Sequence, residues 1–236
     1  MLLTDFHSDI LNLIIAHLDP CSKFTLKITS RRMHTVISPS EFRCILKDNP
    51  WTIWAASYQH WEGVKFFVAR GHPLDERVSS YATEYGNIDM LKWLKHEGCP
   101  PGPGTAALAA THGHLHVLEW LDDQVSHLGT YAYTNAALNG HLHILKWMRQ
   151  RGYNWDHFMC LSAARGGHLH VLSWLRSEGC PWNGWACVNA AYGGYLDVLK
   201  WLRSEGCPWD ANTIIYAISR GHIEIVDWAR ENGCPE

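Results

Sequence analysis

Along most of the chain, apolar positions recur in short blocks at helical spacing. Between Gly166 and Trp182, Leu169, Val171, Leu172 and Leu175 fall on one stripe of a 3.6-residue repeat. Gly179, Cys180 and Pro181 then stop that helix. The block returns as GNIDMLKWLKHEGCP from Gly86, GHLHVLEWL from Gly113, GHLHILKWM from Gly140, GYLDVLKWLRSEGCPW from Gly194 and GHIEIVDWARENGCP from Gly221. The turn glycines Gly86, Gly113, Gly140, Gly167, Gly194 and Gly221 are each 27 residues apart. A degenerate first copy carries Gln59 in the glycine column and Phe66 in the tryptophan column. Seven such units fill residues 48–236 and leave 1–47 as a separate segment.

Each unit reads as two helices. The column Ala55, Ala82, Ala109, Ala136, Ala163, Ala190 and Ala217 never varies, which predicts helices that approach too closely for a longer side chain. The preceding column (Asp75, Gly102, Gly129, Asp156, Asn183, Asp210) holds only residues suited to an N-cap, so a first helix should begin there. The glycine column ends that helix in a left-handed turn, and the leucine stripe forms the second. No unit can bury its apolar face alone. Stacking them gives an all-α solenoid of helix–turn–helix repeats.

The stretch AARGGHLHVLSWLRSEG resembles the ankyrin repeat core, with its Ala-Ala, Gly-His and second-helix leucines. It is shorter, at 27 residues rather than 33, and lacks the Thr-Pro-Leu-His opening. Short loops should therefore replace the β-hairpin finger. The copies ending in Gly-Cys-Pro-Trp are similar to short ankyrin-like repeats of amoeba-infecting giant viruses and some protists.

Residues 1–47 follow another pattern, FHSDILNLIIAHLDPCSKFTLKITSRRMHTVIS. Phe6, Ile10, Leu11, Ile14 and Leu18 recur at helical spacing, and Asp19-Pro20 breaks the run. This resembles an F-box, a short helical module that begins Leu-Pro-x-Glu-Ile-Leu, continues to Leu-Asp-Pro and ends near Ser-Arg-Arg. His7 stands where that family has proline. The resemblance implies that Phe6, Ile10, Leu11, Ile14, Leu18 and Pro20 dock on a Skp-type adaptor. A competing reading makes these helices only a cap for the solenoid.

Composition narrows the function. With 18% charged residues, a net charge of −3 and a pI near 6.6, nothing drives the chain toward nucleic acid or an anionic membrane. No apolar run approaches the ~20 residues of a membrane span. The opening MLLTDFHSDIL has no basic segment followed by an apolar one. A monomeric protein of a reducing intracellular compartment is expected, in the cytoplasm (the host's, if the source is viral) or the nucleus.

The reactive side chains read as scaffold. Cys99, Cys180, Cys207 and Cys234 share one column, Cys160 and Cys187 another. Neighbouring units sit about 8–10 Å apart, beyond the ~7 Å reach of a disulfide, so the column cysteines are loop fillers. His60, His114, His141, His168 and His222 occupy the ankyrin turn position and should bond the local backbone. His116, His143 and His170 alternate with Asp89, Asp197, Glu62 and Glu224, as at a solvated surface. No metal or cofactor is expected, although a metal-dependent enzyme built on the histidine columns is the alternative from another class. Trp93, Trp120, Trp147, Trp174, Trp201 and Trp228 read as core, with Trp155, Trp182 and Trp209 covering inter-unit joints. No phosphate loop, nucleophile elbow or HExxH motif occurs. No catalytic residue is assigned.

Columns that vary within a constant frame are free to recognise something. On the first helices these columns share one face. They display Trp54, Tyr58, Tyr81, Glu84, Tyr85, Tyr131, Asn135, Phe158, Arg165, Trp185, Asn189, Tyr192, Tyr216 and Arg220. Tyr, Trp and Arg are typical interface anchors, and the concave side of a solenoid is the usual place for them. The third unit departs from the frame, ending DDQVSHLGT at residues 122–130, and is a candidate bend or contact loop. Together these readings give a protein–protein adaptor. The resemblance implies the substrate-recruiting subunit of a cullin–RING ubiquitin ligase, with the concave face holding an unidentified target. A non-catalytic scaffold or inhibitor is the alternative.

Overall fold

The helices here run 7 to 9 residues, whereas an isolated helix needs about 12–15 to persist in water. Packing between units must therefore hold them. A computed structural model describes residues 51–69, 71–124, 128–154 and 156–236. Among these residues the chain forms fourteen helices and no strand. They are α1 (Trp51–Ser57), α2 (Trp61–Val68), α3 (Glu76–Glu84), α4 (Ile88–His96), α5 (Thr105–Thr111), α6 (Leu115–Asp122) and α7 (Thr130–Leu138). There follow α8 (Leu142–Gln150), α9 (His157–Arg165), α10 (Leu169–Ser177), α11 (Trp185–Gly193), α12 (Leu196–Ser204), α13 (Ala211–Ser219) and α14 (Ile223–Glu231). Odd-numbered helices open a repeat and even-numbered ones close it.

Two compact units divide the chain: Met1–Tyr85 with Asp89–Gly102, and Gly86–Ile88 with Pro103–Glu236. In the first, α1 packs on α2 and α3, over a core that includes Ile53, Val64, Phe67 and Val78. Asp75 Oδ1 accepts the Arg77 N–H at 2.8 Å and caps α3. The Arg77 guanidinium beside it holds the Asp75 carboxyl below the usual carboxylate range.

In the second unit α5, α7, α9, α11 and α13 form one layer, each packed on the next and on its own second helix. Ala109, Ala136, Ala163, Ala190 and Ala217 lie in this layer and are wholly buried. A larger side chain in that column would push neighbouring backbones apart. The second helices bury Val117, Leu118, Ile144, Leu145, Val171, Leu172, Val198 and Leu199.

Two expectations shift by a residue or two. Gly104, not Gly102, precedes α5, and Gly184, not Asn183, precedes α11. Asn183 still serves the helix end, because its Oδ1 accepts the Trp185 N–H at 3.1 Å.

The second-helix tryptophans are half-buried, not core. The buried stripe of α10 is Val171, Leu172 and Leu175, and Trp174 lies about 100° round from its neighbour Leu175. That turn puts the ring on the flank of the stripe. There the loop tryptophans meet the next unit edge-on, Trp182 against Trp201 at 5.8 Å and Trp209 against Trp228 at 5.7 Å. Arg176 lies 3.9 Å above the Trp182 ring and donates to the Cys180 carbonyl at 3.0 Å, so cation and aromatic close the loop together.

Candidate functional site

The turn glycine of one repeat and a ring of the next interlock most neighbouring repeats. All six turn glycines have φ between 65° and 84°, the left-handed region. Five of them, Gly86, Gly113, Gly140, Gly167 and Gly194, also lie beneath a ring from the next repeat. A Cβ on Gly86, Gly113, Gly140 or Gly194 would stand 2.7 to 2.8 Å from the imidazole of His114, His141, His168 or His222. On Gly167 it would run into the Tyr195 ring.

The same rings reach back for hydrogen bonds. His141 Nε2 donates to the Thr111 carbonyl at 2.9 Å, His222 Nε2 to Tyr192 at 3.1 Å, and His168 to Leu138. Local bonding, expected for this column, holds for His60, whose Nδ1 accepts the Gly63 N–H at 2.9 Å. Burial pushes the His168 imidazole below its ordinary range, so it works as a neutral ring.

The second histidine column does more than face solvent. His116, His143 and His170 donate to the carbonyls of Gly86, Gly113 and Gly140 at 2.8, 3.2 and 3.3 Å. An aspartate or glutamate in that column cannot donate, so those units lose the bond. Among the described residues, no three His, Cys, Asp or Glu side chains converge on a common point.

The loop cysteines also make specific bonds. Cys180, Cys207 and Cys234 donate S–H to the carbonyls of Asp156, Asn183 and Asp210 at 3.3, 3.4 and 3.3 Å. Each bond ties the end of a repeat to its beginning. The Cys160 thiol in turn neighbours that of Cys180, and Cys187 that of Cys207. These thiol pairs join two sequence columns, so comparison down either column alone does not reveal them. The neighbouring thiol and burial together push the Cys160 and Cys187 thiols well up. They are buried, protonated and poorly nucleophilic.

The irregular third unit is fastened by a substitution in the next. Tyr153 stands in the loop-cysteine column and donates its hydroxyl to Asp122 Oδ1. The Tyr153 hydroxyl oxygen in turn accepts the Leu128 N–H at 3.4 Å. Arg151 adds ion pairs to Asp122 and Asp123 at 3.6 and 3.9 Å. Burial and the Asp122 carboxylate push the Tyr153 hydroxyl up to about 12.

The variable residues of the first helices separate into groups. Phe6, Ile10, Leu11, Ile14, Leu18 and Pro20 lie outside the described residues, and Trp54 belongs to α1. Tyr58 is 50% exposed, Tyr81 and Glu84 are half-buried, and Tyr85 donates its hydroxyl to the Ser57 carbonyl at 3.2 Å. Tyr131 is 77% exposed, while Asn135 bonds the Ala107 carbonyl of the preceding first helix at 3.4 Å. Phe158 is exposed beside His157.

The remainder converge. Arg165 of α9, Trp185, Asn189 and Tyr192 of α11, and Tyr216 of α13 surround one hollow, with Val188 beside them. Arg220 lies over the Tyr192 ring. Val188 escapes a reading of variable polar and aromatic columns because it is apolar and buried. The hollow offers cations, ring faces and an amide, which suits binding. It holds no nucleophile paired with a base.

Comparison with known proteins supplies the rest. Residues 3–45 match the F-box domain family. No curated protein sequence matches the chain. Among solved structures, the crystal structure of the human ASB11 ankyrin repeat domain is similar, with a TM-score of 0.50 and 16% identity over 66% of this chain and 83% of that one. The chain thus carries an F-box domain and an ankyrin-like solenoid of helices. Both are typical of interaction adaptors, and neither match points to an enzyme family.

Proposed function

We propose that this protein recruits substrates to a cullin–RING ubiquitin ligase. An F-box module over residues 1–47 would dock on a Skp-type adaptor, and repeats over 48–236 would hold the target. The observation that carries the reading is the F-box match at residues 3–45 on the same chain as an ankyrin-like solenoid. An F-box typically binds a Skp-type subunit, and ankyrin repeats typically bind proteins. One chain with both has the composition of a bridge.

On this reading the adaptor contact uses Phe6, Ile10, Leu11, Ile14, Leu18 and Pro20, and the target lies against the variable face of the first helices. Co-purification of the full chain with a Skp-type subunit tests it. Binding should be lost on Leu11→Arg or Ile14→Arg and retained on Trp185→Ala. A chain that never co-purifies, or whose binding ignores both arginine variants, sinks the proposal.

A further inference from the structure

The hollow between α9, α11 and α13 has a volume of about 200 Å³. Pockets for whole small ligands run roughly 300–1,000 Å³, so this one takes a side chain or two. Its walls are aromatic. Tyr216 meets Trp185 and Tyr192 edge-on, both at 6.2 Å between centroids, and Trp185 is 49% exposed. A flat apolar or aromatic side chain would bury against these rings with little loss of freedom on the protein's side.

The charges at its rim are all of one sign. The Arg165 guanidinium lies 5.1 Å from the Tyr192 centroid, and that of Arg220 lies 4.5 Å from the same point. The two cations are therefore closer together than the sum of those distances. Among the described residues neither forms an ion pair. The helix α11 between them carries no charged residue. Asp156 and Asp210 cap the far ends of α9 and α13, about 13–15 Å away along the helix axis. Stacking on a ring orients a guanidinium but leaves its in-plane N–H groups free for an incoming anion.

We infer that this hollow binds an acidic peptide segment. It seats an aromatic or large aliphatic side chain against Trp185 and Tyr216, while a neighbouring carboxylate pairs with Arg165 and Arg220. The inference rests on the proposal that the repeats hold a target protein, and it specifies the chemistry of the segment held. A carboxylate there relieves the repulsion between two cations that the chain itself leaves uncompensated.

The test is selection from a displayed library of random peptides on the full-length chain. Enriched sequences should place Asp or Glu beside an aromatic or large aliphatic residue. Affinity of a synthetic peptide of that type should fall about tenfold on Arg165→Gln or Arg220→Gln, and also on high salt or on Glu→Gln in the peptide. Trp185→Ala probes the hollow separately, and circular dichroism with a urea midpoint confirms that each variant folds.

The inference is overturned if nothing enriches above the bare support, or if the enriched peptides carry no acid. Binding that survives in the Arg165→Gln/Arg220→Gln double variant overturns it too, as does a preference for phosphotyrosine over carboxylate peptides. Co-purification with a Skp-type subunit is read independently. A failed selection with intact adaptor binding removes the acidic segment and leaves the adaptor. Acidic peptides without adaptor binding leave the docking site and remove the ligase role.

Discussion

The imidazole of His168 rests on the backbone of Gly140, and a methyl group added at Gly140 would lie 2.7 Å from its Nδ1. Gly140 thus answers two demands at once, a φ of 77° and a ring from the next repeat against its face.

Gly221 separates those demands. Its φ is 74°, and nothing lies within 4 Å of a Cβ built there. Gly221→Ala should cost only the left-handed penalty, about 1–2 kcal/mol. Gly140→Ala adds overpacking of about 1–3 kcal/mol. The difference should vanish in a double-mutant cycle with His168→Ala, read from urea midpoints. Equal costs for the two alanine variants would mean the interlock carries no weight.

Gln59 is the degenerate copy's occupant of the glycine column, and it keeps the conformation without the residue. At φ 58° it is the one non-glycine among the described residues with positive φ. A left-handed side chain costs about 1–2 kcal/mol, and glycine's extra unfolded-state entropy returns about 0.5–1 kcal/mol. Gln59→Gly should therefore stabilise the chain by about 0.5–1 kcal/mol in denaturant melts. A loss of stability would show that the Gln59 side chain makes contacts worth more than its strain.

The frame of the fold was legible because the repeat prints each structural demand many times. Gly140 and Ala163 are informative as members of columns, where chance cannot maintain one residue type. The alanine contacts and the left-handed turns came through that way. Contacts joining two different columns did not, since Cys160 and Cys180 look unrelated until the unit closes on itself. Trp174 misled because one residue's displacement on a helix moves a ring from core to flank. The hollow was half legible. Arg165, Tyr192 and Arg220 each stood out as variable, but their convergence depends on how three consecutive first helices pack.

Tyr153 gives the structure a defined alkaline weakness. Its hydroxyl titrates at about 12 in the folded chain, against about 10 when unfolded. In the interval between, the unfolded chain releases a proton that the folded chain retains. The stability tied to this group is therefore fully present below pH 10 and lost as pH rises toward 12. Tyr153→Phe should lower stability at pH 7 by about 1–2 kcal/mol, through the bonds to Asp122 and Leu128. The gap between wild type and variant should then narrow between pH 10 and 12. A gap that stays constant over that range would show that Tyr153 acts by packing alone.

Cys160 and Cys187 test whether each repeat closes as a unit. Both are wholly buried, and each neighbours the loop cysteine that seals its own repeat. Burial denies reagent access, and the raised thiol pKa keeps the reactive thiolate scarce at pH 8. Alkylation of these two should require the first-helix layer to part. The small movement that frees the Gly-Cys-Pro-Trp loop is not enough. In a urea series at pH 8, iodoacetamide labelling mapped by mass spectrometry should rise at Cys160 and Cys187 together with the loss of helical circular dichroism. Cys180 and Cys207, held by loop bonds to Asp156 and Asn183, should label at lower urea, because a loop opens at less cost than a helix layer. Labelling of Cys160 ahead of Cys180 would reverse that order and show that the loop outlasts the helices it closes.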